Sequence, residues 1–184
     1  MSLRGQTKSV AGAGATERLL VVTSGPNNVA ISATVVEGLL PPEEAGSTAF
    51  LTLRDITYPI IDLSRRLGQA PTAAPADPRI VLCGSGGRHR GFRVDQVLGL
   101  TEVEVSRLHP LPPHFAGEER AWWKGYFLYQ EGVALWANPE WLVAIDPAGE
   151  PPGPIAATKR FVAEHTSQAN EIIELEVVDA KRAK

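Results

Sequence analysis

Gly84-Ser85-Gly86-Gly87 is the stretch of this chain whose residue types best fit ligand chemistry, because a glycine-rich turn can aim backbone amides at a phosphate. It lacks the Gly-Lys-Ser/Thr ending and no helix follows it, so a β-hairpin turn is expected, with Arg88, His89 and Arg90 as its solvated shoulder or an acidic protein's contact. Asp62 and Asp95 are the candidates for paired carboxylates. Neither stands near a nucleophile in sequence, and each follows an apolar run, which predicts that they accept backbone hydrogen bonds where a strand ends. His89, His109, His114 and His165 lack the close spacing of metal ligands, so neither a metal nor a cofactor is expected. The serines at 24, 32, 47, 64 and 85 form no Gly-x-Ser-x-Gly elbow. Cys83, the single cysteine, lies in an apolar run and is expected to behave as a small hydrophobe. Trp122-Trp123 carries two expectations: a strand would turn one ring into the core and the other outward as an interface anchor, or a proline-rich crossing covers both.

The elements that must position these residues follow from composition. A chain of 184 residues with a 43% hydrophobic share holds one substantial core, or two small barrels sharing one. Seventeen glycines and fifteen prolines punctuate too often for long helices and favour many short strands. A net charge of -3 gives no electrostatic footprint for nucleic acid. The lone cysteine fits a reducing cytoplasm, and with no apolar run of spanning length no direct membrane insertion is expected.

Residues 1–16 have the composition of a flexible arm. Arg18 to Thr23 and Val29 to Val36 form a hairpin across Gly25-Pro26-Asn27-Asn28, and Glu37 to Ser47, with its two adjacent prolines, is expected to leave the sheet as a surface loop. Leu51 to Gly68 predicts strand, turn, buried strand and a short helical turn, a joint between two sheets with Arg54 facing outward. Gln69 to Pro78 is a proline-rich loop expected to separate two halves of the domain. Arg79 to Cys83 and Arg90 to Val97 make a second hairpin, and Leu98 to Leu108 continues it. His109 to Glu119 is a proline-rich crossing. Trp122 to Tyr129 and Val133 to Trp136 make a third hairpin, and Asn138-Pro139 starts a short helix as cap and first residue. Beyond Asp146 lie a possible helix at Ile155 to His165 and an alternating run, Glu171 to Val178, that suits either an edge strand or an arm awaiting a partner.

Three separated segments then agree in order and spacing with one family. Val36 and Leu39 follow the first hairpin, Leu53-Arg54 precedes Tyr58-Pro59-Ile60-Ile61-Asp62-Leu63 and Leu67-Gly68, and Gly91-Phe92-Arg93-Val94-Asp95-Gln96-Val97 comes later. From about Arg18 to Val143 the chain resembles the CheW-like domain, the coupling module of bacterial chemosensory arrays. The resemblance implies an all-β fold of two intertwined, five-stranded SH3-like barrels over residues 17–146, with short helices and a C-terminal extension at 147–184. It also implies a non-enzymatic scaffold bridging the cytoplasmic tip of a chemoreceptor to a CheA-type histidine kinase. Arg54 matches the family's exposed arginine near the receptor contact, and Val36, Leu39 and Phe50 fall near its binding surfaces. The chain departs from the pattern with Ala49 for a glycine, Thr52 for an asparagine, Asp55 for the glycine after the arginine, and Gly38 for a common glutamate. Asp55 is placed to hold the Arg54 guanidinium in a local ion pair.

The candidate partner-binding set is therefore Val36, Leu39, Phe50, Arg54, Asp55 and Trp122. Two other functions stay open: a CheW-like interaction module of a non-chemotactic assembly, such as one serving surface motility, and a small-ligand-binding or enzymatic β-barrel. The second predicts a deep polar pocket, whereas a scaffold predicts shallow exposed apolar patches.

Overall fold

The computed structural model describes residues 14–45 and 49–144. Ten strands and three short α-helices run in the order β1 (Thr16–Ser24), β2 (Asn27–Ser32), β3 (Val36–Leu40), α1 (Pro42–Ala45), β4 (Phe50–Leu53), β5 (Ile56–Asp62), α2 (Leu63–Arg66), β6 (Arg79–Ser85), β7 (Arg88–Val94), β8 (Gln96–Glu104), β9 (Trp123–Tyr129), β10 (Gly132–Ala137) and α3 (Pro139–Val143). They build two five-stranded sheets, ordered β8-β1-β2-β10-β9 and β3-β6-β7-β5-β4. Both are mainly antiparallel, with one parallel pair each: β10 beside β2 in the first, β5 beside β7 in the second. Each sheet curls into a small barrel, as the CheW-like pattern implies.

Alternation of side chains along each strand divides the apolar residues into three layers. Leu19, Val21, Ala30, Phe127 and Ala134 fill the first barrel. Tyr58, Ile60, Ile80 and Leu82 fill the second. Their strand neighbours, Leu20, Val22, Val29, Ile31, Val81, Cys83, Phe92, Val94, Val133 and Leu135, point the other way into a shared core between the barrels. Runs such as Leu19-Leu20-Val21-Val22 and Ile80-Val81-Leu82-Cys83 are continuously apolar because both faces are buried, so they show no alternation in polarity. Burial pushes the Cys83 thiol up to about 12, with the Glu37 charge adding to it, which leaves Cys83 a packing residue.

The chain changes sheets at places other than those expected. β4 and β5 belong to one sheet, so Leu51 to Gly68 is no joint between sheets. The crossings are the 3-10 turn Ala33–Val35, leading from β2 to β3, and Asp95, between β7 and β8. The loop after α2 likewise joins β5 to β6 within the second sheet. Residues 37–40, expected in a surface loop, belong instead to β3, which pairs with β6, and the chain leaves the sheet only at the prolines. At the other end Thr16 already pairs with Glu104, one residue inside the expected arm. The hairpin turn at Gly86-Gly87, with φ of 58° and 74°, and the Asn138 cap, whose Oδ1 accepts from the Glu140 amide at 3.2 Å, form as expected. The possible helix at 155–165 and the alternating run at 171–178 lie outside the described residues.

Candidate partner-binding surface

All the candidate residues except Trp122 lie on the second sheet, at its two edge strands β3 and β4. Leu53 and Ile56 flank a two-residue turn formed by Arg54 (φ 51°) and Asp55 (φ 64°). Two successive positive φ values define a turn whose twist suits a hairpin, and they favour Asn-Gly or Asp-Gly. The family's glycine at position 55 thus has a backbone reason, and Asp55 occupies a conformation that glycine adopts more cheaply. Arg54 and Asp55 are exposed, and neither makes an ion pair among the described residues, so the expected local pair is not formed. Exposed apolar side chains stand on both edge strands: Phe50 is 61% and Leu53 37% accessible on β4 next to the turn, and Leu39 is 46% accessible on β3, at the other end of the sheet order. Val36 is half-buried and packs against the shared core, supporting this edge from beneath.

Glu37 is the residue that the sequence did not single out. The ladder between β3 and β6 slips between Val36 and Gly38, and such a bulge re-aims the side chain it carries. The Glu37 carboxylate accepts from the Tyr58 hydroxyl at 2.8 Å and lies 3.0 Å from His89 Nδ1. It lies over Gly84, where any Cβ would collide with it. Burial alone would raise the Glu37 pKa, but the hydrogen bonds from His89 and Tyr58 and the attraction of His89 outweigh it, and the net direction is down. Burial, followed by the hydrogen bond to Glu37, pushes Tyr58 up to about 12. This tie joins β3, β5 and β7 and holds the second barrel closed across its polar side.

Trp122 does not belong to the surface. It precedes β9 with helical backbone angles, so strand alternation does not apply, and both Trp122 (6%) and Trp123 (4%) are buried. Trp122 stacks on Trp141 at 5.2 Å, and the Arg66 guanidinium lies 4.7 Å over the Trp141 ring. Arg66 Nη2 also donates to the carbonyls of Trp141, at 2.5 Å, and Ala144, at 3.3 Å, completing the C-terminal end of α3. The ladder Arg66-Trp141-Trp122 thereby fastens α2, α3 and the crossing before β9 to one another. Of the two aspartates, Asp95 accepts backbone bonding as expected, from the Gly25 amide at 2.7 Å, and also binds the Thr72 hydroxyl at 2.5 Å. Asp62 stands before α2 with no side-chain capping bond, so the expected backbone bond is not formed there.

Two open depressions accompany these features. One, of about 470 Å³, is lined by Leu39, Leu40, Pro41, Asp77, Arg79 and Val97; the other, of about 260 Å³, lies at the turn between β9 and β10. Neither gathers convergent titratable groups of the kind a reaction needs. Among the described residues no cluster of His, Cys, Asp and Glu is arranged to hold a metal ion, and no helix is long and apolar enough to cross a membrane.

Two curled five-stranded sheets around a shared core, with motifs on β3, β5 and β7, define a domain class, and comparison with known families agrees: the CheW-like domain model matches residues 18–146. The chain belongs to the CheW-like domain family. The crystal structure of the scaffolding protein TtCheW from Thermoanaerobacter tengcongensis has the same fold, with a TM-score of 0.58 at 18% sequence identity, covering 72% of this chain and 95% of that one. Comparison with curated proteins returns no match.

Proposed function

We propose that this protein is a non-enzymatic scaffold of a bacterial chemosensory system, coupling the cytoplasmic tip of a chemoreceptor to a CheA-type histidine kinase in the cytoplasm. The observation that carries this reading is the exposed apolar edge at Phe50 and Leu53, set in a CheW-like domain beside Arg54, which makes no ion pair among the described residues. A monomer gains nothing from leaving Phe50 in water, whereas covering such side chains contributes about 1.5–3 kcal/mol each. Arg54 adds orientation, since a rim charge selects among partners more than it adds affinity. The mechanism is geometric: one face of the domain holds the kinase, another meets the receptor, and a shift in the receptor changes the balance of kinase states.

The test is affinity capture on purified partners. A CheA-type regulatory domain and a receptor cytoplasmic fragment from the same source are titrated against the native chain and against Phe50→Ser and Arg54→Glu, with circular dichroism checking the fold. Phe50→Ser is expected to weaken one of the two complexes by about tenfold or more, as loss of an apolar anchor does. Unchanged binding to both partners by both variants would overturn the proposal.

A further inference from the structure

Among the described residues the second sheet ends in a strand whose outer backbone has no neighbour in the ladder, since β4 pairs there only with β5, on its inner side. The Ile60 amide donates to the Ala49 carbonyl at 2.8 Å, and a two-residue turn follows Leu53. In an antiparallel pair hydrogen-bonded and open positions alternate, so the amides and carbonyls of Phe50 and Thr52 point away from β5. Such an edge, flanked by exposed Phe50 and Leu53, is a template for one more strand.

The chain itself supplies a fitting segment. Glu171 to Val178 reads Glu-Ile-Ile-Glu-Leu-Glu-Val-Val; as a strand it would place Ile173, Leu175 and Val177 on one face and Glu174 and Glu176 on the other. α3 packs against β6 and β7, so the chain leaves the described body on the side of the second sheet. Residues 145–170 then provide up to about 85 Å of reach, well beyond what any edge of this domain requires. The remaining edges fit less well. β9 is flanked by His109, which exchanges both backbone bonds with Tyr126, at 2.8 and 3.0 Å. β3 carries the bulge at Glu37. β8 exposes Glu102 and Glu104, which would repel an acidic strand. β4 ends instead in Arg54, a cation with no ion pair among the described residues.

We infer that Glu171 to Val178 pairs with the open edge of β4 in the same molecule, its apolar face continuing the Leu51 and Leu53 layer and its glutamates within reach of Arg54. The inference goes beyond the proposed coupling role, since it requires no partner protein. A tethered segment acts at an effective concentration of about millimolar. Any protein that docks on Phe50 and Arg54 must therefore displace it, and the tail sets a threshold for docking.

Amide hydrogen exchange of the full-length chain, followed residue by residue by NMR, tests this without any partner present. The Phe50 and Thr52 amides are expected to be protected, and Leu175→Asp with Val177→Asp should speed their exchange by tenfold or more. Leu51 and Leu53, whose amides face β5, should stay protected in both proteins and report that the barrel is intact. Exchange of Phe50 and Thr52 at unprotected rates in the native chain would overturn the inference, as would protection that the double substitution leaves unchanged. Protection that disappears on tenfold dilution would also overturn it, by assigning the edge to a second copy.

Discussion

The two barrels are built from the same parts, five strands and one parallel pair apiece, yet they treat their edges in opposite ways. The first closes its β9 edge with backbone: His109 and Tyr126 exchange both bonds, and Gly125 lets the crossing chain approach so closely that a Cβ would strike the His109 carbonyl. The second closes its β3 side with side chains, through Glu37, Tyr58 and His89, and among the described residues nothing pairs with the outer side of β4. A backbone closure is stiff and insensitive to pH, whereas a carboxylate tie responds to both pH and displacement. The difference lies in how the edges of two barrels that share a core are closed, since exposed apolar side chains stand on both barrels, Leu100 and Leu128 on the first and Leu39 and Phe50 on the second.

The largest test concerns that sharing. Phe92 lies fully buried between the barrels, and Phe92→Ala is expected to cost about 3–5 kcal/mol in urea denaturation, with both barrels unfolding in one transition. Two separate transitions, one per barrel, would break the picture of a common core.

A matched pair of glycines sharpens the contrast between closures. Gly125→Ala meets backbone that cannot rotate away and should cost about 2–3 kcal/mol, whereas Gly84→Ala meets the end of the Glu37 side chain and should cost about 1 kcal/mol. Equal losses would mean that the carboxylate is held as rigidly as backbone.

Asp55→Gly should stabilise the chain by about 0.5–1 kcal/mol, because relief of the positive φ exceeds the added flexibility of the unfolded chain. A thermal melt would show it, and a destabilised variant would indicate that the Asp55 side chain holds the turn.

The smallest effect concerns pH. Glu37 has a lowered pKa, so its contribution is present above the ordinary glutamate range and lost as pH falls through and below about 4.5. Tyr58 has a raised one, so its contribution is complete below pH 10 and lost as pH rises toward about 12. Tyr58→Phe should flatten both limbs of the stability profile. Absorbance titration of the native chain should show one of its three tyrosines ionising near 12.

Much of the fold is legible in the sequence because its signals are local. The glycines at 86 and 87 specify a tight turn, Asn138-Pro139 specifies a helix start, and the proline runs mark where ladders stop. The candidate surface was legible only in part. Leu39 stands exposed on one edge strand of the second sheet and Phe50 and Arg54 at the other, while Trp122, chosen because tryptophan anchors interfaces, is buried under Trp141. Residues 37–40 read as a loop because four residues before two prolines give too short a window for alternation, and the bulge at Glu37 disrupts even that.

What the sequence determined by itself was most of the strands, though not β3, the tight turns that join them and the CheW-like spacing of motifs, since these depend on backbone preferences within a few residues. Which sheet each strand enters, where the chain crosses between sheets, and that Glu37 meets Tyr58 and His89 were decided only by tertiary structure. The physical reason is that these contacts join residues 21 and 52 positions apart, and a strand buried on both faces carries no mark of which layer each side chain will fill.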